Sequence, residues 1–316
     1  MTDYVFSVRN IRRGAFGSEP GASHFLAVPQ TVAAPDPAQR ITKRDWFASV
    51  QEEAKSGTFG GHPSGDIVIY VHGYNNSQTT MPARHRKIRK ELEAHGFGGV
   101  VVSFDWPSAD NALNYLEDRT DAKKIALRLV DKGIASFAAL QRPDCRINLH
   151  LLAHSMGCYV VREAFDDADD RPAVAAHSCS VGQVMLVGAD VSAASLVDGN
   201  PKSSSLYRHC VRLTNHFYPF DNVLSLSNIK RIGVSPRAGR IGLPDRRPEK
   251  AVNLYCGDYF DRHKDMLGDQ PNVAHSWYFE DAHFPQDVFL TVQGVMDRHE
   301  FPTRPPTSRG NLALRP

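Results

Sequence analysis

Cysteine is sparse in this sequence, and the five present (Cys145, Cys158, Cys179, Cys210, Cys256) are scattered, odd in number and free of any C-x-x-C pair. That pattern excludes a disulfide-stapled secreted scaffold and a cysteine zinc site, and it favours a reducing, cytoplasmic setting. No H-x-x-x-H or comparable cluster points to a metal, so no metal is expected. No apolar run approaches the length needed to cross a bilayer. The first residues, Met1-Thr-Asp-Tyr-Val-Phe-Ser-Val, lack the basic and apolar regions of a secretory signal. Charge is nearly balanced at a formal +2, which predicts neither a nucleic-acid nor a membrane partner. With 41% hydrophobic residues over 316 positions, the chain can bury a sizeable core, which excludes a disordered class.

Against that plain background stand several strongly apolar runs that alternate with helical periodicity. Asp66-Ile-Val-Ile-Tyr-Val71, Val100-Val-Val-Ser-Phe104, Ile147 to Ala153, Val181 to Val187, Val211 to Phe217 and Val252 to Cys256 read as strands. Between them lie helices over Thr42–Lys55, Thr79–His95 (closed by Gly96), Asp118–Leu140 and Pro285–Met296. Tyr4–Val8 and Phe25–Val28 read as a hairpin at a sheet edge, and Gly57–Gly65 as a glycine-rich connector. The alternation implies an α/β fold with a mostly parallel sheet covered by helices on both faces. We expect one domain over residues 1–301, with its core at 66–297 and the elements of 1–56 packed on the sheet edge. The Pro- and Arg-rich tail 302–316 reads as disordered.

One segment carries more chemistry than the rest. Ile147-Asn-Leu-His-Leu-Leu-Ala-His-Ser-Met-Gly157 runs from a buried strand into Ser155 and on into the helical Cys158-Tyr-Val-Val-Arg-Glu-Ala-Phe165. Strand, tight turn and helix around one serine are the context of a nucleophile elbow. Ala153 and Gly157 supply the small residues that such a turn needs two places before and after the serine. A serine capping the next helix would look similar from the motif alone. The remaining polar residues favour the catalytic reading, because Gly73-Tyr74, Trp106, Ser155, Asp190 and Asp221 all fall at the carboxyl ends of strands, where open parallel sheets gather function.

An acid and then a histidine should follow the serine in the order Ser, acid, His. Asp190 and Asp221 both follow strands, and His263, His275 and His283 lie in the last quarter. His275, in Asn272-Val-Ala-His-Ser-Trp-Tyr-Phe279, stands in a loop before the final helix, where a base could reach the serine. Cys158 lies one helical turn beyond Ser155 and points into helix packing, so a cysteine nucleophile is not expected.

The chain resembles the DUF900 type of α/β-hydrolase. The resemblance rests on His72-Gly-Tyr-Asn-Asn-Ser77, Phe104-Asp-Trp-Pro-Ser108, Tyr115-Leu-Glu-Asp-Arg119, Leu152-Ala-His-Ser-Met-Gly157 and His275-Ser-Trp-Tyr-Phe279. It implies an α/β-hydrolase fold, no cofactor, and a triad of Ser155 as nucleophile, His275 as base and Asp221 as acid, with Asp190 the alternative acid. The oxyanion hole would use the backbone N–H groups of Tyr74 and Met156, and Gly73, Tyr74, Trp106 and His154 would line the substrate pocket. His72 fits a structural role in its loop.

Ser192–Arg208 is short, Ser-rich and weakly apolar, so a small or open pocket is expected rather than a large lid. Lys230–Lys250 carries seven basic and two acidic residues, either a solvated loop or a rim for an anionic substrate. Arg84–Lys90 reads as the solvated outer face of its helix. The expected activity is cleavage of a small carboxylic ester through an acyl-enzyme. Thioester or amide hydrolysis by the same triad is the alternative within enzymes, and a non-catalytic binding module is the alternative outside them.

Overall fold

The structure is a computed structural model of residues 1–316. It describes all of them except 75, 109–114, 140, 142–144, 167–179, 230–235, 268–271, 295–300, 308–310 and 316, and it leaves out the side chains of 115–121, 138 and 226–229. The first half of the chain runs β1 (Thr2–Arg12), β2 (Ala15–Pro29), α1 (Lys43–Ala54), β3 (Lys55–Phe59), β4 (His62–Val71), α2 (Thr80–Ala94), β5 (Val100–Asp105), α3 (Tyr115–Arg128) and α4 (Ala135–Ala138). There follow β6 (Arg146–His154), α5 (Met156–Asp166), β7 (Val181–Val187), α6 (Pro201–His209), β8 (Cys210–Phe217), α7 (Asn222–Ile229), α8 (Ala238–Ile241), β9 (Ala251–Tyr255), α9 (Gly257–His263), α10 (Val273–Ser276), α11 (Phe284–Gln293) and β10 (Leu312–Ala313).

One sheet takes the order β10-β9-β8-β7-β6-β4-β5-β1-β2, with β3 paired to β4 off this path. The β1–β2 and β3–β4 pairs are antiparallel, and the other pairs are parallel. The reason is visible along β4. Ile67, Ile69 and Val71 enter one core, packed with α1, α3 and α5, while Val68 and Tyr70 enter the other, packed with α2, α9 and α11. Both faces of the strand are covered, so the sequence is a continuous apolar run rather than an alternating one. Each fully buried aliphatic side chain of this kind contributes roughly 1.5–3 kcal/mol relative to exposure.

Side-chain capping marks the starts of α1 and α6, the latter through Asn200. Thr42 Oγ1 accepts from Asp45 N–H at the head of α1. The expected long helix after β5 is present but interrupted: α3 passes into a π-helical stretch over Leu129–Ile134 before α4. The glycine-rich connector 57–65 is in fact most of a hairpin, β3–β4, whose turn uses the positive φ of Gly60 and Gly61.

The tail differs most from expectation. Its Pro- and Arg-rich composition predicts disorder, yet Phe301, Thr303, Arg304 and Leu314 are buried, and β10 adds to the sheet beside β9. Backbone bonds such as Leu314 N–H to Tyr255 O, and a buried ion pair, hold it there. Arg304 donates from Nε to Asp287 Oδ1 and from Nη2 to Asp287 Oδ2, each at 2.7 Å, while Thr303 Oγ1 donates to Asp287 Oδ1 at 2.6 Å.

The chain leaves β4 to build β5 on one side and returns to build β6 on the other. A crevice therefore opens at the carboxyl ends of β4 and β6. Val71 pairs with Ala153 in that register, so His72-Gly73-Tyr74 and His154-Ser155 emerge side by side.

Candidate active site

Strand β6 ends at His154, and the next residue turns the chain into α5. Ser155 makes that turn at φ 54°, a conformation that L residues adopt only under constraint. The constraint is backbone hydrogen bonding on both sides. Ser155 N–H donates to Val187 O at 2.9 Å, and Ser155 O accepts from Cys158 N–H and Asp190 N–H, each at 3.1 Å. A Cβ on Gly157 would lie 2.3 Å from Val71 O, so glycine is obligatory there for the helix to approach β4. A Cβ on Gly73 would meet Ser155 Cβ at 2.7 Å and His154 O at 3.0 Å. The loop after β4 is thus laid directly against the serine.

His275 sits on the short helix α10 and is buried. Its Nδ1 is 2.6 Å from Asp221 Oδ2. Since the carboxylate only accepts, Nδ1 carries the proton and Nε2 is left with a free lone pair. The other oxygen, Asp221 Oδ1, accepts from Leu224 N–H at 3.0 Å at the head of α7. Both side chains reach the end of β7: a Cβ on Gly188 would lie 3.4 Å from His275 Cε1 and 3.8 Å from Asp221 Oδ2. Val187, just before that glycine, is the residue whose carbonyl holds Ser155.

His154 links the two halves of the cluster. Its Nε2 is 2.9 Å from His275 O, which fixes Nε2 as the donor, and the two rings lie 4.8 Å apart. Burial, then the neighbouring His275 and Arg84, hold its pKa well below the ordinary imidazole value, so it stays neutral.

Other candidates prove to be committed elsewhere. Asp190, the alternative acid, lies in an ion pair with Arg237, Nε to Oδ1 at 2.9 Å, and both side chains are buried. Trp106 does not line an open pocket: it is wholly buried, its indole N–H donates to His72 O at 2.9 Å, and its ring stacks on His72. His72 is structural, as expected, with Nδ1 2.9 Å from Gly73 O. Behind it, Asp105 is gripped by Arg9 at 2.9 Å. Burial works to raise that carboxyl, but Arg9 and His72 outweigh it and hold it well below the usual range. Cys158 directs its thiol at Ala153 O, 3.1 Å away, and burial pushes its pKa far up, which disables it as a nucleophile. His263 and His283 are half-buried, and both stack on Tyr259.

The chain belongs to the DUF900 family. Residues 39–260 match this family, described as an α/β-hydrolase of unknown function. Ser155 and Asp221 fall inside the match and His275 falls beyond it. An uncharacterized protein of Nostoc sp., alr1448, is 28% identical over 117 residues, a match spanning 30% of this chain and only 29% of that protein. Among solved structures, a cutinase-like protein from Cryptococcus sp. is 13% identical with a TM-score of 0.33, covering 75% of this chain and 94% of that one. The catalytic core domain of acetyl xylan esterase from Trichoderma reesei is 16% identical with a TM-score of 0.36, covering 73% and 98%. At such scores neither likeness bears on substrate.

Two further features of this DUF900 chain depart from the sequence reading. The helix carrying Arg84–Lys90 is not simply a solvated face: Arg84 donates to Asn76 Oδ1 at 2.8 Å and lies over Phe279, and Arg86 and Arg89 both bond Asp3. The described part of the basic loop is also largely spent on the protein itself. Arg246 donates to Asp198 O, Arg247 to Pro244 O and Ala251 O, and Lys250 to Cys210 O; Lys230–Ser235 lie outside the described residues. Among the described residues no helix is long and apolar enough to cross a membrane, and no acidic, histidine or cysteine cluster could hold a metal ion.

Proposed function

We propose that this chain is a serine hydrolase of carboxylic esters, with Ser155, His275 and Asp221 as its triad. The observation that carries the reading is the buried 2.6 Å His275–Asp221 hydrogen bond, set at the end of β7 beside the strained turn of Ser155. In the reaction Ser155 Oγ attacks the ester carbonyl as His275 Nε2 takes its proton. Asp221 stabilises the imidazolium that forms and holds the ring in place. The backbone N–H groups of Met156 and Tyr74 receive the developing oxyanion. His275 then protonates the departing alcohol, and water, activated by the same imidazole, releases the acid from the acyl-enzyme. Gly73 and His154 flank the serine and bound the acyl position. The segment between β7 and β8 supports a small substrate, because it is occupied by the short 3₁₀ turn Ala193–Leu196 and the helix α6 rather than by a large apolar lid.

The test is labelling with a fluorophosphonate probe, with the modified residue mapped, on wild type, Ser155→Ala and His275→Ala. Labelling at Ser155 that disappears in both variants is expected. A folded wild type that does not label would refute the reading. Parallel assays on p-nitrophenyl acetate and a short acyl thioester separate esterase from thioesterase chemistry.

A further inference from the structure

The segment His72-Gly-Tyr-Asn-Asn-Ser77 contains an asparagine with no part in the triad, yet Asn76 is buried and fully engaged. Its Nδ2 donates to two successive carbonyls, Gly73 O at 3.0 Å and Tyr74 O at 3.1 Å. Its Oδ1 accepts from Arg84 Nη1 at 2.8 Å, and its backbone N–H donates to Ser108 Oγ at 3.2 Å. The cation settles which way the amide faces: a flipped amide would turn its NH₂ toward the guanidinium and its oxygen toward two carbonyls. His72 Nδ1 completes the grip on Gly73 O at 2.9 Å, a contact that requires a proton on that nitrogen.

We infer that Asn76 is a positioning residue that orients the Gly73–Tyr74 peptide as the oxyanion-binding unit. The peptide is planar and trans, so fixing Gly73 C=O fixes the opposed N–H of Tyr74 as well. Gly73 itself lies against Ser155 with no room for a Cβ, so the unit cannot drift away from the serine without breaking these bonds. Arg84 extends the brace. It rests 4.9 Å above the Phe279 ring, and that ring meets His154 edge-on at 5.0 Å. His154 in turn holds the backbone of His275. The oxyanion loop and the loop of the base thereby share one scaffold. Misplacing a reacting or stabilising group by about 1 Å costs on the order of 10²-fold in rate, which makes such a brace consequential.

This inference rests on the serine-hydrolase reading, and Asn76→Asp separates the two. The carboxylate keeps an oxygen for Arg84, so the loop stays anchored, but both donors to the carbonyls are lost. We expect a folded protein that melts below wild type, because a carboxylate oxygen now faces Gly73 O and Tyr74 O. Its fluorophosphonate labelling at Ser155 is expected to slow by about 10²-fold. On p-nitrophenyl acetate, kcat should fall while KM stays within about threefold, the mark of a lost transition-state interaction rather than a disturbed pocket. Asn76→Ala, which removes the donors without adding charge, serves the same comparison if the aspartate variant does not fold. Wild-type labelling at Ser155 with either folded variant reacting at the wild-type rate overturns the role of Asn76 and leaves the triad standing. A wild type that never labels at Ser155 overturns the functional reading, and this inference with it.

Discussion

Two aspartates compete for the role of acid, and their surroundings predict opposite consequences for the same substitution. Asp221→Asn leaves an oxygen to accept from Leu224 N–H but turns an NH₂ toward His275 Nδ1. The imidazole must then accept at Nδ1, which puts its proton on Nε2 and leaves no lone pair for the serine. In the serine-protease template this single change costs ~10⁴-fold in turnover, equivalent to about 5 kcal/mol of transition-state stabilisation. Asp190→Asn does something different. Asp190 N–H still holds Ser155 O, so the elbow persists, but the buried Arg237 guanidinium loses its counter-charge. Breaking a buried pair from one side costs ~3–5 kcal/mol. The lower end is expected, because Arg237 and Asp190 meet as an ion pair without hydrogen-bond alignment. At about 2–4 °C per kcal/mol for a chain of this size, the melting temperature should fall by roughly 6–12 °C. Measured on the same preparations, labelling rate and melting temperature should dissociate: Asp221→Asn stable and silent, Asp190→Asn destabilised and reactive per folded molecule. The opposite pattern would refute the assignment of the acid.

Two further outcomes follow from buried charges elsewhere. Arg304→Met strands the Asp287 carboxylate among Thr303 and His216 and should cost ~3–5 kcal/mol by urea titration, with much of the loss recovered when Asp287→Leu is added; an unchanged midpoint in the single variant would show that the tail does not anchor the sheet edge. Burial lowers His85 to about 4, with Asp3 opposing and Arg89 and Arg86 assisting the shift, while its Nδ1 contacts Ser103 Oγ at 2.7 Å. The unfolded chain therefore takes up a proton at this residue near pH 6.5 that the folded chain refuses until about pH 4. Its contribution is complete above pH 6.5 and shrinks as pH falls across that window. Urea midpoints at pH 7 and pH 4.5 should converge in His85→Gln relative to wild type, and equal pH slopes in the two proteins would contradict the buried neutral state.

The parts of the fold legible in the sequence were those with local causes. Asp66–Val71 is a run of apolar residues because both faces of β4 are covered, and Thr42 caps α1 through a bond to a residue three places on. The turn at Ser155 announces itself through Ala153 and Gly157. His275 and Asp221 could be nominated by position in the chain, and the structure brings them to 2.6 Å of each other. What stayed hidden depends on partners remote in sequence. Arg304 in a Pro-rich stretch reads as solvated until Asp287 is set beside it, and Arg84 reads as surface until Asn76 and Phe279 are. Trp106 looks like a pocket residue because it follows a strand, but the stacking of His72 behind the loop takes it into the core.

The arrangement also explains why the candidate site is built chiefly from backbone. A positive φ at a non-glycine residue costs of order 1–3 kcal/mol, and a net intramolecular hydrogen bond returns about 0.5–1.5 kcal/mol. Ser155 makes three such backbone bonds, to Val187, Cys158 and Asp190, enough to offset the strain whatever its side chain does. The geometry of the turn is therefore independent of the hydroxyl. The same logic holds for Gly73, whose carbonyl is bonded by two side chains while its missing Cβ admits Ser155. Side-chain chemistry is then needed only at His275 and Asp221, on segments that reach the serine through Gly188 and His154. On the proposed reading, a framework set in this way keeps Ser155 and the Tyr74 and Met156 N–H groups in register while the surrounding loops vary, so substrate preference should reside in the residues outside that frame.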